Sequence, residues 1–112
     1  MTIKVLYVPV GGAPEIREIE NWLRPMQKLV GGKIEVFPLD SLEPNPNLHA
    51  FAILNEEGKI MPRMKPNRDV YHQGRKYDTF HGDFFICGCN EDGEFISITP
   101  EQEAFYMELF AL

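Results

Sequence analysis

Residues 83–102 read DFFICGCNEDGEFISITPEQ, and the fold depends on how this stretch is parsed. Asp83 to Cys87 (DFFIC) is apolar, aromatic and β-branched, the composition of a buried strand. Glu94 to Ile98 (EFISI) reads as a second strand, and Asn90-Glu91-Asp92-Gly93 before it is turn chemistry. Adjacent Phe84 and Phe85 must point to opposite faces of a regular strand. Either both faces of that sheet are covered, or one aromatic is left open for a partner. Thr99-Pro100-Glu101-Gln102 then starts a helix. Thr99 is the N-cap, Pro100 takes the first helical position, and Gln102 completes a capping box. Ala104, Phe105, Leu109 and Phe110 are expected to face the core from it.

Upstream, Ile3 to Val8 (IKVLYV) is a largely buried strand, and Gly11-Gly12-Ala13-Pro14 punctuates the chain after it. Glu15 to Glu20 carries Ile16 and Ile19 out of strict alternation. It reads as a partly exposed strand with a bulge absorbing the phase slip, a short helix being the competing assignment. Asn21 is placed to cap a helix over Trp22 to Val30, with Trp22, Met26, Leu29 and Val30 as its apolar stripe and Gly31 as its stop. Pro25 costs little there, because N–H groups of a first turn lack intrahelical partners. Lys33 to Leu39 is a third strand, and Asp40 to Asn47, with two prolines and two asparagines, is a loop. Leu48 to Leu54 is a fourth strand. Asn55-Glu56-Glu57-Gly58 reverses it, with Gly58 at the positive-φ position and Lys59 to Met61 as a short return strand. The segment to residue 76 has little periodicity and reads as irregular. The expected fold is α+β: one domain over 1–112, a mainly antiparallel sheet of six to seven strands, and helices after strand two and at the C-terminus.

Composition agrees with a single globular domain. The chain has 112 residues, of which 44% are hydrophobic and 25% charged. No apolar run approaches the roughly 20 residues of a membrane-spanning helix. Without an exporting leader or a disulfide framework (Cys87 and Cys89 are close neighbours), the expected compartment is the cytoplasm. The formal charge of −6 argues against general binding to duplex nucleic acid. Its distribution is uneven, however. Residues 59–76 hold six bases against one acid, and the rest of the chain holds five bases against sixteen acids. A basic segment on an acidic body suits a small anion better than a long duplex.

Several short motifs follow one another in an order that resembles a known family. They are IKVLYVP at 3–9, QKLVGGKIE at 27–35, NEEGK at 55–59, PNR at 66–68, GDFFICG at 82–88 and EFISITPEQ at 94–102. Over nearly its full length the chain is similar to domain of unknown function family 3846, small proteins of phages and bacterial mobile elements. It departs from the family pattern at Met64-Lys65, where members commonly have Leu-Pro, and in a longer loop at 43–47. The resemblance brings no reaction. It implies an accessory protein acting inside a bacterium.

Within the basic segment, Pro66-Asn67-Arg68 is the leading candidate site. Arginine offers a rigid donor fork for phosphate or carboxylate, and Tyr71 and Tyr77 could stack on a base. The expected ligand-binding set is Lys65, Asn67, Arg68, Tyr71, Arg75 and Tyr77. The structural alternative has Arg68 pairing with Glu56, Glu57 or Asp69 to pin a loop. Asn55-Glu56-Glu57-Gly58 and Asn90 to Gly93 are read as turns, although paired carboxylates could hold a metal. Cys87, Cys89 and His81 include the residue types of a soft-metal site but at unsuitable spacing, and no metal or cofactor is expected. His72 and His81, with Arg68 and Lys76, have the types for a metal-free phosphodiesterase. Trp22, Phe51, Phe84, Phe85, Phe95, Phe105 and Phe110 are assigned to the core.

The functional expectation is a non-catalytic, homo-oligomeric binder of an anionic nucleotide-like molecule, sequestering a host defence signal. Two alternatives stand beside it. One is an acidic protein–protein inhibitor of a host defence enzyme, DNA-mimic-like at the extreme. The other is the phosphodiesterase.

Overall fold

In a computed structural model describing residues 1–112, the apolar run at 84–89 becomes the centre of the molecule. Strands β1 (Thr2–Val8), β2 (Glu15–Glu20), β3 (Ile34–Pro38), β4 (His49–Asn55), β7 (Phe84–Cys89) and β8 (Phe95–Ile96) form one antiparallel sheet in the order β2-β1-β7-β4-β3, with β8 also on β7. A separate antiparallel hairpin is made by β5 (Pro66–His72) and β6 (Arg75–His81). Helices α1 (Leu23–Val30) and α2 (Pro100–Leu109) complete an α+β fold.

Phe84 and Phe85 are both fully buried, so both faces of the sheet are covered. On one face Phe85 packs with Ile3, Val5, Ile53 and Cys87 under Met26 and Val30 of α1. On the other, Phe84, Leu6, Val8 and Ile86 pack under Tyr106 and Phe110 from the C-terminal segment and under Val70 and Phe80 from the β5–β6 hairpin. Each such aromatic contributes about 1.5–3 kcal/mol by burial. Rings of Phe37, Phe80, Phe84 and Phe110 meet edge to face in series, with centroids 5.1, 5.0 and 5.6 Å apart.

The C-terminal helix starts as its sequence demands. Thr99 Oγ1 accepts from the Gln102 amide at 3.1 Å, and Gln102 Oε1 accepts from the Thr99 amide at 3.0 Å. Its inward face is different from expectation. Gln102, Tyr106 and Phe110 are buried, while Ala104 and Leu109 are exposed and Phe105 is half-buried. Inside, Tyr106 donates to Glu43 Oε2 at 2.7 Å, and Gln102 donates to the His49 carbonyl at 3.0 Å. Hydrogen bonding to the 40–50 segment turns these polar residues inward.

Other local expectations are corrected. The register of β2 on β1 runs without a bulge from Thr2–Glu20 to Tyr7–Glu15. Ile16 and Ile19 simply lie on opposite faces. Trp22, not Asn21, takes the N-cap position of α1 with no side-chain cap, and Asn21 Nδ2 donates instead to the Phe95 carbonyl at 3.1 Å. Trp22 is 58% exposed and is not core. Gly31 ends α1 at φ +82° as expected. No return strand follows Gly58, and its φ is not positive. Glycine suits the position because a Cβ would make tight contacts with the His81 and Asn55 carbonyls, at 3.1 and 3.3 Å. The largest departure is that the segment to residue 76, read as irregular, supplies β5 and the start of β6, which form a hairpin over 66–81.

Candidate functional site: the β5–β6 hairpin

The hairpin turns tightly through Gln73 and Gly74, both at positive φ (53° and 77°), the arrangement a two-residue hairpin turn requires. Its ladder slips twice. One shift lies between Pro66 and Arg68, leaving Asn67 extra on β5. The other opposes Val70–Tyr71 to Asp78 and Lys76, leaving Tyr77 extra on β6. Bulges re-aim side chains, and these two decide what the hairpin presents.

The bulge at the foot turns Asn67 and Arg68 onto the body of the protein. Asn67 Nδ2 donates to the Val8 and Gly82 carbonyls, both at 2.9 Å. Arg68 Nε donates to the Phe110 carbonyl at 2.8 Å and its NH2 nitrogen to the Gly12 carbonyl at 2.7 Å. Its NH1 nitrogen donates to Asn67 Oδ1 at 2.6 Å and to the Asn67 carbonyl at 3.3 Å. Burial lowers the guanidinium pKa from its ordinary value. Glu56, Glu57 and Asp69 form no ion pair with it. Asn67 and Arg68 therefore form a clamp joining the end of β1, the Gly12 loop, the hairpin and the C-terminus.

The tip is presented to solvent. Val70 faces the core, so Tyr71 beside it faces outward, 54% exposed and opposite Lys76. Tyr77, 58% exposed, leans against Phe37 with ring centroids 5.8 Å apart, and His72 lies 6.3 Å from it. Arg75 lies exposed at the turn and takes part in no ion pair. Lys76 is 3.7 Å from Asp69, which also accepts from Thr79 Oγ1 at 2.8 Å.

The six candidate residues thus divide. Tyr71, Arg75 and Tyr77 come together at the tip, with the two tyrosines on different sides of the ribbon. Asn67 and Arg68 are at the foot, about 10–15 Å away along the strand, with Lys65 just beyond them. The histidines are further apart, about 20 Å along the ribbon: His72 pairs with Arg75 near the tip and His81 with Pro66 at the foot. Two imidazoles so placed do not share one phosphate. His81 is also remote from the cysteines, which occupy the far end of β7. No three His, Cys, Asp or Glu side chains converge as a metal cage would require.

Beside the foot lies a cleft of about 250 Å³ whose lining includes Glu35, Glu56, Glu57, Asp78, Lys59 and His81. Lys59 is ion-paired to Asp78, so the remaining charge of the cleft is acidic. Asn55 at its floor is a turn residue: Oδ1 accepts from the Glu57 amide at 2.8 Å and Nδ2 donates to the Val30 carbonyl at 3.2 Å. Asn90 closes its own turn in the same way, accepting from the Asp92 and Glu94 amides.

Tyr71, Arg75 and Tyr77 were singled out from the sequence, but the residue that braces Tyr77 was not. Phe37, which braces Tyr77, belongs to β3, and nothing local to residue 77 points to it. A family model described as domain of unknown function (DUF3846) matches residues 3–111. No curated protein and no solved structure matches the chain.

Proposed function

The chain belongs to the DUF3846 family, and from that premise we propose that it is a non-catalytic binding protein of a phage or mobile element, acting in the host bacterial cytoplasm. The tip of its β5–β6 hairpin takes an anionic, nucleotide-like molecule, and the protein works by sequestering that molecule from a host defence system. The observation that carries this reading is the unpaired, exposed Arg75 at the turn of a ribbon that presents Tyr71 on one side and Tyr77 on the other. A guanidinium supplies directed donors for phosphate, and a tyrosine face supplies a platform for a base. Asn67 and Arg68 serve by fixing the ribbon on the body.

Tyr71, Arg75 and Tyr77 line none of the three main clefts of the protein, whereas small-molecule sites are concave. A second copy of the chain supplies the opposing wall in this reading, and the binding form is a homodimer. Mass spectrometry of small molecules retained through native purification tests the proposal. A nucleotide-like species retained by the wild type and lost in Arg75→Ala supports it; retention equal in both does not.

The acidic cleft favours a second reading, in which Glu35, Glu56 and Glu57 dock on a basic surface of a host enzyme. That reading predicts a host protein that co-purifies at low salt and is lost at high salt, because exposed charges are screened.

A further inference from the structure

We propose that Cys89 is a reactive thiol, with His49 as its proton acceptor and Asp40 orienting the imidazole, and that its substrates are low-molecular-weight disulfides. This site is at the opposite end of β7 from the hairpin foot and does not depend on the hairpin reading.

His49 on β4 and Cys89 on β7 are direct partners across the ladder. Side chains so paired share a face, with Cβ atoms about 4.5–5.5 Å apart. Both line a cleft of about 200 Å³ bounded also by Asn90, Thr99 and Gln102. His49 Nδ1 lies 3.4 Å from Asp40 Oδ1. The tautomer that donates Nδ1–H to Asp40 leaves the Nε2 lone pair free to act as a base. Cys89 is partly exposed, and its thiol donates to the Asn90 carbonyl at 3.2 Å, whereas Cys87 is buried. Burial and the charge of Asp40 raise the Cys89 pKa, so at neutral pH the thiol keeps its proton and attack requires a base. Histidine across the ladder is that base. A cleft of this volume admits only a small reagent.

In the reaction, the thiol proton passes to His49 as Cys89 Sγ attacks one sulfur of the disulfide. A new Sγ–S bond forms and the original S–S bond breaks. The leaving thiolate takes the proton back from His49, giving a mixed disulfide on Cys89 and one equivalent of free thiol.

Neutral dithiodipyridine at pH 7 is a suitable probe, since its leaving thiol is coloured and Asp40 does not repel it. One fast equivalent is expected from the native protein, absent in Cys89→Ser, with Cys87 reacting only on unfolding. His49→Ala should slow the fast phase about tenfold or more, and added imidazole should restore part of it. Asp40→Asn, an exposed loop substitution, should slow it several-fold. Equal rates in the native protein and His49→Ala would overturn the proposal, as would a loss that imidazole leaves unchanged.

Discussion

Arg68 carries a full charge into the seam between hairpin and sheet and spends it on backbone carbonyls of Gly12, Asn67 and Phe110. Hydrogen bonds from charged donors contribute about 1.5–3 kcal/mol each, and their loss leaves carbonyls short of partners. Arg68→Ala is expected to lower stability by about 2–3 kcal/mol in urea unfolding. Arg68→Lys should recover little, because an ammonium cannot reproduce the fork. Two tyrosines make a second residue-scale prediction. Tyr7 donates to Asp83 Oδ2 at 2.9 Å, and burial followed by that bond pushes its pKa up to about 12. Tyr106 is raised as well, by burial and then by its bond to Glu43. A folded pKa above the unfolded value gives stability that is complete below about pH 10 and lost as pH rises through the folded value. Urea midpoints should therefore fall above about pH 10, and less steeply in Tyr7→Phe; midpoints that stay flat to pH 12 would contradict this assignment. Residue types were legible in the sequence here, but directions were not. Arginine in PNR reads as an anion fork until the bulge at Asn67 turns it inward.

Among the elements, much of the self-contained local chemistry was readable, although Asn21 does not cap α1 and Gly58 is not at positive φ. The capping box at Thr99–Gln102, the Gly31 stop and the two Asn…Gly turns involve residues within a few positions of each other. β5 and β6 were not readable, for three physical reasons. Only Val70 and Phe80 of the hairpin are buried, so alternation is faint. Two bulges break what alternation there is. The turn is Gln73-Gly74, and glutamine is an unusual occupant of positive φ. Gln73→Gly should relieve that strain and stabilise the hairpin by up to about 1 kcal/mol, visible as slower amide exchange along β5 and β6. β8 depends on a close approach to β7: a Cβ on Gly88 would lie 2.7 Å from the Ser97 carbonyl. Gly88→Ala is expected to cost about 1–3 kcal/mol and to weaken amide protection at Ile96 selectively. Uniform destabilisation without local loss would argue against that contact. The pairing of His49 with Cys89 is the long-range counterpart. Forty positions separate the two residues, and only the register of β4 on β7 brings them together.

Over the whole molecule, folding redistributes the charge that the linear chain concentrates. Of the six bases between 59 and 76, Lys59 and Lys76 are paired with Asp78 and Asp69, and Arg68 is held by carbonyls. Arg63 donates to the Gly31 carbonyl at 3.4 Å, which leaves Lys65 and Arg75, and of these Arg75 is on the ribbon that exposes Tyr71 and Tyr77. The basic segment is thus one cation at a hairpin tip, a foot turned inward, and an acidic cleft beside it. This arrangement suits a directed contact with one anionic group better than a broad electrostatic patch, and its affinity should weaken with salt without vanishing. Calorimetry of the purified protein against mono-, di- and cyclic nucleotides at low salt decides whether the Arg75 tip holds such an anion. The account predicts saturable heat for at least one nucleotide, with affinity reduced about tenfold or more in Arg75→Ala and unchanged unfolding midpoints in that variant. No heat with any nucleotide, or binding that Arg75→Ala leaves intact, would contradict it.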